Sequence, residues 1–248
     1  MNEELEGQVC GVDGCATPGD VGAGSTAASV ASLGELNVVS DVICPWCYVG
    51  KRRLEHALSM LGPSPRLRIA WRAFELNPQM PKEGMDRRTY RMRKFGSWEQ
   101  SQRMDAQLAA VGAEMGLAFR YDLIQRTPNT FDAHRLIWLG GQHGLQDAIV
   151  ETLFRCYFGE GRDVGDRKVL ADLAQEAGMD RNEAQAFLAG EQGTNEVKAD
   201  ELVAQGSGLS GVPSFVLNGR LLFSGAQPSD VIARVVGGML ASGAAAPA

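Results

Sequence analysis

The chain has 248 residues, 44% of them hydrophobic and 22% charged, with a formal net charge of −6. That composition is ordinary for a globular protein with a sizeable core, and its acidic balance argues against nonspecific nucleic-acid binding, which needs a basic footprint. No run approaches the ~20 apolar residues of a membrane span, and the acidic start (Glu3, Glu4, Glu6) lacks the apolar stretch of a secretory signal, so no membrane partner and a cytoplasmic location are expected.

Residues 1–34 read as a flexible tail rich in Gly, Ala, Ser and Thr that carries Cys10 and Cys15. Such a segment buries too little to offset its ordering entropy. From Leu36 to Ile43 the chain is β-branched and nearly continuously apolar, which predicts a buried strand. Cys44-Pro45-Trp46-Cys47 follows and opens a helix running to about Leu61, with Leu54, Ala57, Leu58 and Leu61 at helical spacing. Pro45 suits a first helical turn, where its missing N–H costs nothing. Gly62-Pro63-Ser64-Pro65 ends that helix, and Leu67 to Phe74 alternates with period two, predicting a second strand. A strand–helix–strand unit implies a right-handed parallel crossover.

Helices are then expected at 86–94, 98–115, 130–143, 145–158, 166–177, 180–189 and 192–205, with Asp166 and Asp180 as N-caps or first-turn acids. The basic run from Lys82 to Lys94 reads first as a solvated helix face and second as a contact for an acidic substrate. Ser214–Leu217 and Arg220–Phe223, separated by Asn218-Gly219, predict a hairpin, and a last helix is expected from about Pro228 to Leu240. The order β-α-β, helical block, α-β-β-α describes an α/β chain. It predicts one mixed four-stranded sheet interrupted by a large all-helical insertion, in a single compact unit.

The chemistry concentrates at Cys44 and Cys47. A helix N-terminus presents free N–H groups and about half a positive charge, so a sulfur seated there is stabilised as a thiolate. Cys44 is the expected attacking sulfur; Cys47, one turn on, closes an intramolecular disulfide. No histidine lies between them. The couple is therefore expected between the extremes of this chemistry, roughly −270 to −120 mV. Gly211-Val212-Pro213-Ser214 opens the late strand. In a chain that resembles the thioredoxin arrangement this turn lies beside the dithiol, where a cis peptide before Pro213 would present the backbone of Val212 to an extended substrate chain, beside Pro45 and Trp46; the other reading is a trans Pro opening an edge strand.

Three stretches carry a resemblance. They are Ser40-Asp41-Val42-Ile43-Cys44-Pro45-Trp46-Cys47-Tyr48-Val49-Gly50-Lys51-Arg52-Arg53-Leu54; Pro128-Asn129-Thr130 with Ala133-His134-Arg135-Leu136; and Gly211 to Phe215 with Ser224 to Pro228. Together they resemble the FrnE-like branch of the DsbA family of oxidoreductases. The resemblance implies a thioredoxin-like domain built from 35–76 and 192–243, a helical insertion at 77–191, and dithiol oxidase or disulfide isomerase activity. By position it makes Cys44 the nucleophile, Cys47 the resolving thiol and Pro213 the cis proline. Many thioredoxin-fold enzymes carry a buried acid six residues before the first cysteine; here that position is Val38, and the nearest acid is Asp41. The scaffold is shared with 2-hydroxychromene-2-carboxylate isomerases and kappa-type glutathione transferases, which place a serine where Cys44 stands; a glutathione-dependent isomerase or transferase is the alternative reading. Asn129 and His134 fall in a motif of those relatives and are candidates to line the substrate pocket, although a histidine beside Leu136 and Ile137 equally reads as packed core.

Cys10 and Cys15 admit three readings: incidental thiols, an auxiliary redox pair exchanging with Cys44–Cys47, or half of a four-thiolate zinc site. The redox pair is the leading one, so no metal and no cofactor beyond the Cys44–Cys47 disulfide is expected. The expected partners are protein or small-molecule thiols and disulfides, with glutathione or thioredoxin as electron partner. Cys156 reads as a buried packing residue.

Overall fold

The computed structural model describes residues 34–62, 67–209 and 211–241. The expectations for both terminal tails, Cys10 and Cys15 included, lie outside the described residues.

Strand β1 (Gly34–Ser40) organises the sheet. It pairs in parallel with β2 (Leu67–Ala73) and antiparallel with β5 (Ser214–Leu217), and β6 (Arg220–Ser224) completes the order β2-β1-β5-β6. Successive side chains of a strand point to opposite faces. Leu36 and Val38 accordingly enter the main core with Val49 and Leu54 of α1 (Pro45–Met60) and Ile232 and Val236 of α9 (Ser229–Ala241). Val39 turns the other way, onto Ala204 of α8 (Thr194–Gly206) and Leu209. Asn218, at a positive φ of 49°, and Gly219 form the β5–β6 turn, as an Asn-Gly pair favours.

The apolar pattern predicts strand through Ile43, yet β1 stops at Ser40. Asp41 turns the chain there. Its carbonyl accepts the N–H of Cys44 at 3.0 Å and its carboxylate accepts the N–H of Leu76 at 2.7 Å.

Between β2 and α8 lie α2 (Arg87–Phe95), α3 (Trp98–Ala113), α4 (Phe131–Gln142), α5 (Gln146–Glu160), α6 (Arg167–Glu176) and α7 (Arg181–Ala189). Side chains of Asp86, Ser97, Asp166 and Asp180 accept first-turn N–H groups of four of these helices, each cap being worth about 1 kcal/mol. An antiparallel pair of two-residue strands, β3 (Met85–Asp86) and β4 (Arg126–Thr127), ties the start of α2 to the segment before α4. It is too short to leave a periodic signal in sequence.

The insertion is fused to the sheet rather than hung from it. The amide of Gln146 takes the N–H of Trp71 at 3.0 Å and gives to its carbonyl at 3.2 Å, standing in for a neighbouring strand along β2. Lys51 of α1, 2% exposed, pairs with Glu55 of its own helix and with Asp147 and Glu151 of α5. Tyr48 stacks on Phe154, ring centroids 5.0 Å apart. One continuous hydrophobic core therefore runs through both parts. This is a thioredoxin fold with a large helical insertion.

Candidate active site

Cys44 is the N-cap of α1 and Pro45 occupies its first turn. The carbonyl of Cys44 already accepts the helical N–H of Cys47 (3.0 Å), while its side chain makes no capping bond. The sulfur is thus placed where the orphan N–H groups of the helix gather but is not consumed by them. Trp46 is 42% exposed, whereas Cys47 is 1% exposed and packed in the core. Both cysteines are free thiols. Burial pushes the Cys47 thiol well above its ordinary range, and the adjoining Cys44 sulfur pushes in the same direction. Cys44, expected from the sequence to be an exposed sulfur, is itself 6% exposed, because the Val212 carbonyl and the core close over it; the two sulfurs differ in position, one at the helix end and one a turn deeper.

The late strand comes to this helix end from the other side. Cys44 Sγ lies 3.7 Å from the carbonyl oxygen of Val212, and the Val212–Pro213 peptide is cis. Pro213 is buried, and its carbonyl accepts the N–H of Gly225 at 2.7 Å. Ser214 Oγ donates to the Gly211 carbonyl and lies 2.7 Å from Ser224 Oγ, closing the loop on itself.

Behind the dithiol sits a buried polar group. His134 Nε2 is 3.6 Å from Asp41 Oδ1, an ion-pair distance rather than a hydrogen bond; both side chains are almost wholly buried. Burial pulls the imidazole down, but the carboxylates of Asp41, Glu75 and Glu201 outweigh it and hold His134 above its usual range. Burial also lifts the Glu75 carboxyl to about 8, against the pull of His134. Asp200 and Glu201 of α8 accept the N–H groups of Ala73 and Glu75 at the end of β2, so the cluster also fastens α8 to the sheet. The Val38 position holds an apolar core residue, 1% exposed.

The structure brings Cys44, Pro45, Trp46, Cys47, Val212 and Pro213 into one locus. His134 is one layer back, reaching the dithiol only through the Asp41 turn. The amide of Asn129 is engaged at both ends, giving to the Met80 carbonyl at 2.9 Å and accepting from Phe131 N–H at 3.0 Å; it shapes the entry to α4. Cys156 is fully buried on α5, and burial raises its thiol to about 12.

The model of the DSBA-like thioredoxin domain matches residues 35–237. The chain belongs to this family. A probable DsbA oxidoreductase from Streptomyces coelicolor is 37% identical, with a TM-score of 0.78, over 87% of this chain and 92% of that one. The cytosolic disulfide reductase DsbM from Pseudomonas aeruginosa, solved also with GSH, is 21% identical with a TM-score of 0.55, over 75% of this chain and 87% of that one. A 2-hydroxychromene-2-carboxylate isomerase shares the fold at 16% identity and a TM-score of 0.63, over 85% of this chain and 98% of that one. As a DSBA-like protein the chain is a thiol–disulfide oxidoreductase. No helix among the described residues is long and apolar enough to cross a membrane.

Sequence reasoning missed two groups in this DSBA-like chain. Glu75 and Glu201 were not singled out, because nothing local marks two acids as neighbours of a buried histidine 59 or more residues away. The basic run is plain in the sequence, but the wall it forms beside Trp46 is a tertiary feature. The spacing of Arg87, Arg91 and Lys94, one helical face at i, i+4 and i+7, was the available signal.

Proposed function

We propose that the Cys44–Cys47 dithiol exchanges disulfides with protein or small-molecule partners, as a thiol–disulfide oxidoreductase or disulfide isomerase. The thiolate of Cys44 attacks a substrate disulfide, forming a mixed disulfide and expelling the first substrate sulfur as a thiolate. Cys47 then gives up its proton, which the expelled substrate thiolate takes, and attacks Cys44 Sγ. The second substrate thiolate leaves, and two electrons have passed from the dithiol to the substrate. The reverse sequence oxidises a substrate dithiol. When Cys47 stays idle, the mixed disulfide is returned to a different substrate thiol, which is isomerisation.

The observation that carries this reading is the seat of Cys44. It stands at a helix N-terminus, 3.7 Å from the Val212 carbonyl and one turn before a buried second thiol. Val212 offers backbone groups to an extended substrate, with Pro45 and Trp46 on its flank. Asn129 and His134, expected to line the substrate pocket, would act by position instead, Asn129 holding the entry to α4 and His134 the Asp41 turn. Glutathione or thioredoxin is the proposed electron partner, the former supported by the DsbM complex with GSH; a cytoplasmic setting, as given for DsbM, suits a reducing role. Cys10 and Cys15 remain the proposed auxiliary pair. The couple is placed at roughly −270 to −120 mV.

Insulin reduction tests the assignment. Cys44→Ser should lose it entirely, and Cys47→Ser should accumulate the mixed disulfide on Cys44. Activity at the wild-type level in Cys44→Ser would refute the reading. Turnover of a glutathione adduct that survives Cys47→Ser would instead favour the isomerase or transferase alternative.

A further inference from the structure

A cavity of about 230 Å³ opens beside Pro45 and Trp46, the two residues between the cysteines, and against helices α2 and α3; the cysteines themselves do not line it. Most of its wall is apolar, from Ile43, Leu76, Leu108, Ile124 and Phe158 among others. The basic run predicted as a solvated face divides here. Arg87, Arg91 and Lys94 line the cavity. Arg88 lies instead over the Trp98 ring at 5.3 Å, and Arg93 turns to Met85 Sδ at 3.7 Å.

The charges in this wall do not balance. Asp105 is the acid that meets the two arginines, taking Arg87 Nη2 on one oxygen and Arg91 Nη2 on the other, each at 2.6 Å. Lys94 Nζ donates only to the Tyr90 hydroxyl, at 2.7 Å. No residue lining the cavity is acidic. Arg91 also gives Nε to Ser101 Oγ at 2.6 Å and Nη2 to the Ser101 carbonyl at 3.2 Å, so its remaining donors are few, but these are neutral acceptors: three cations, Lys94 at the exposed rim, share one carboxylate. The Tyr121 hydroxyl, also on the wall, is buried with no hydrogen-bond partner. A buried hydroxyl left unpaired is destabilising, and an incoming acceptor would relieve it. Burial holds the Arg91 guanidinium below its usual range, with the charge of Arg87 adding to the effect; an arriving anion relieves that crowding.

We propose that this cavity is a specificity pocket. It takes the arm of a small thiol or disulfide in which an aromatic or branched apolar body carries a carboxylate, and it presents the attached sulfur to Cys44. An apolar cavity of about 150 Å³ holds one benzene, so about 230 Å³ suits one substituted ring. The carboxylate goes to Arg91 and Lys94, the apolar body to Leu108, Ile124 and Phe158, and the sulfur to the Trp46 edge. The inference rests on Cys44 being the exchanging thiol.

The test compares the rate at which the reduced protein reacts with three disulfides. 5,5′-Dithiobis(2-nitrobenzoate) is aromatic and carboxylated, 4,4′-dithiodipyridine is aromatic and neutral, and cystamine is cationic. Each rate is normalised to that of free dithiothreitol, which removes intrinsic reactivity. The wild type should prefer the carboxylated reagent over the neutral one and the neutral over the cationic. The carboxylate-to-neutral ratio should fall about tenfold in Arg91→Gln, the equivalent of about 1.4 kcal/mol, and several-fold in Lys94→Gln. Lys94 is exposed, so its variant keeps the test alive should Arg91→Gln fold poorly. Arg88→Gln, on the same helix but outside the cavity, should keep the wild-type ratio. An unchanged ratio in both cavity variants overturns the proposal, as does an equal fall in Arg88→Gln, which would mean a general charge effect of the helix. If the wild type reacts with none of the three faster than its Cys44→Ser variant, the exchange reading itself fails.

Discussion

Gly50 of α1 lies directly beneath Pro213: a β-carbon at position 50 would stand 3.0 Å from Pro213 Cγ and 3.6 Å from Phe215 Cζ. The helix that carries the dithiol and the loop that carries Val212 are in contact at the one residue without a side chain. The same loop holds the Val212 carbonyl 3.7 Å from Cys44 Sγ.

Enlarging residue 50 should therefore separate activity from stability. Gly→Ala in a helix interior gains about 1 kcal/mol in propensity, which offsets part of the crowding. Gly50→Ala is expected to keep its melting temperature within a few degrees, and Gly50→Val to lose several. Both should slow Cys44-dependent insulin reduction, Gly50→Val by at least about tenfold. A valine variant as fast as the wild type would show that the Pro213 loop does not need its present seat.

The acid at Glu75 should leave a mark on stability against pH. Its folded value of about 8 stands above the ordinary 4.5, so the native state holds a proton that the unfolded chain has lost. Stability then declines as pH rises from about 4.5 through about 8. His134, also raised, adds in the same direction: its contribution is complete below the unfolded value and vanishes as pH passes the folded one. Glu75→Gln removes the first contribution. Urea denaturation at pH 5 and pH 8 should show the variant gaining on the wild type at the higher pH; parallel curves would count against a protonated Glu75.

Arg135 is 1% exposed and donates to Asp132 (2.7 Å) and to the carbonyls of Gly190 (2.6 Å), Gln192 (2.8 Å) and Phe187 (3.2 Å). Removing one partner of such a buried arrangement typically costs about 3–5 kcal/mol. Arg135→Ala should lower the urea midpoint accordingly. Arg135→Lys should recover only part of the loss, because an ammonium cannot span four acceptors in one plane. A lysine variant at wild-type stability would mean that the fork geometry is unimportant.

Cys156 should be silent in thiol chemistry. It is fully buried, and burial raises its thiol to about 12, so almost no thiolate exists near pH 8. Iodoacetamide at that pH should leave it unmodified in the folded protein and label it in denaturant, as read by peptide mass spectrometry. Native labelling at the rate of a free thiol would show that α5 opens.

How much was legible beforehand follows the range of each signal. The β1 strand, the Cys44-Pro45-Trp46-Cys47 turn into α1, the Asp166 and Asp180 caps and the Asn218-Gly219 hairpin all rest on residues within one or two turns of each other. Periodicity, capping and turn chemistry act over that distance, so a single chain displays them. The proximity of Val212 to Cys44 spans 168 positions. It was anticipated through the resemblance, which carried the tertiary information that composition and periodicity lack.

What the amino-acid order settled by itself was the placement of the dithiol, a strand feeding two cysteines at a helix start, because strand pattern, Pro45 and helical spacing are all local. Tertiary structure alone decided which groups surround it. The carboxylates grouped around His134, the stand-in of Gln146 for a strand, and the turning of Arg91 and Lys94, but not Arg88, toward the wall beside Trp46 are packing outcomes. A charged side chain carries no local mark of the face it will meet; the neighbouring elements supply that face only once the core has closed.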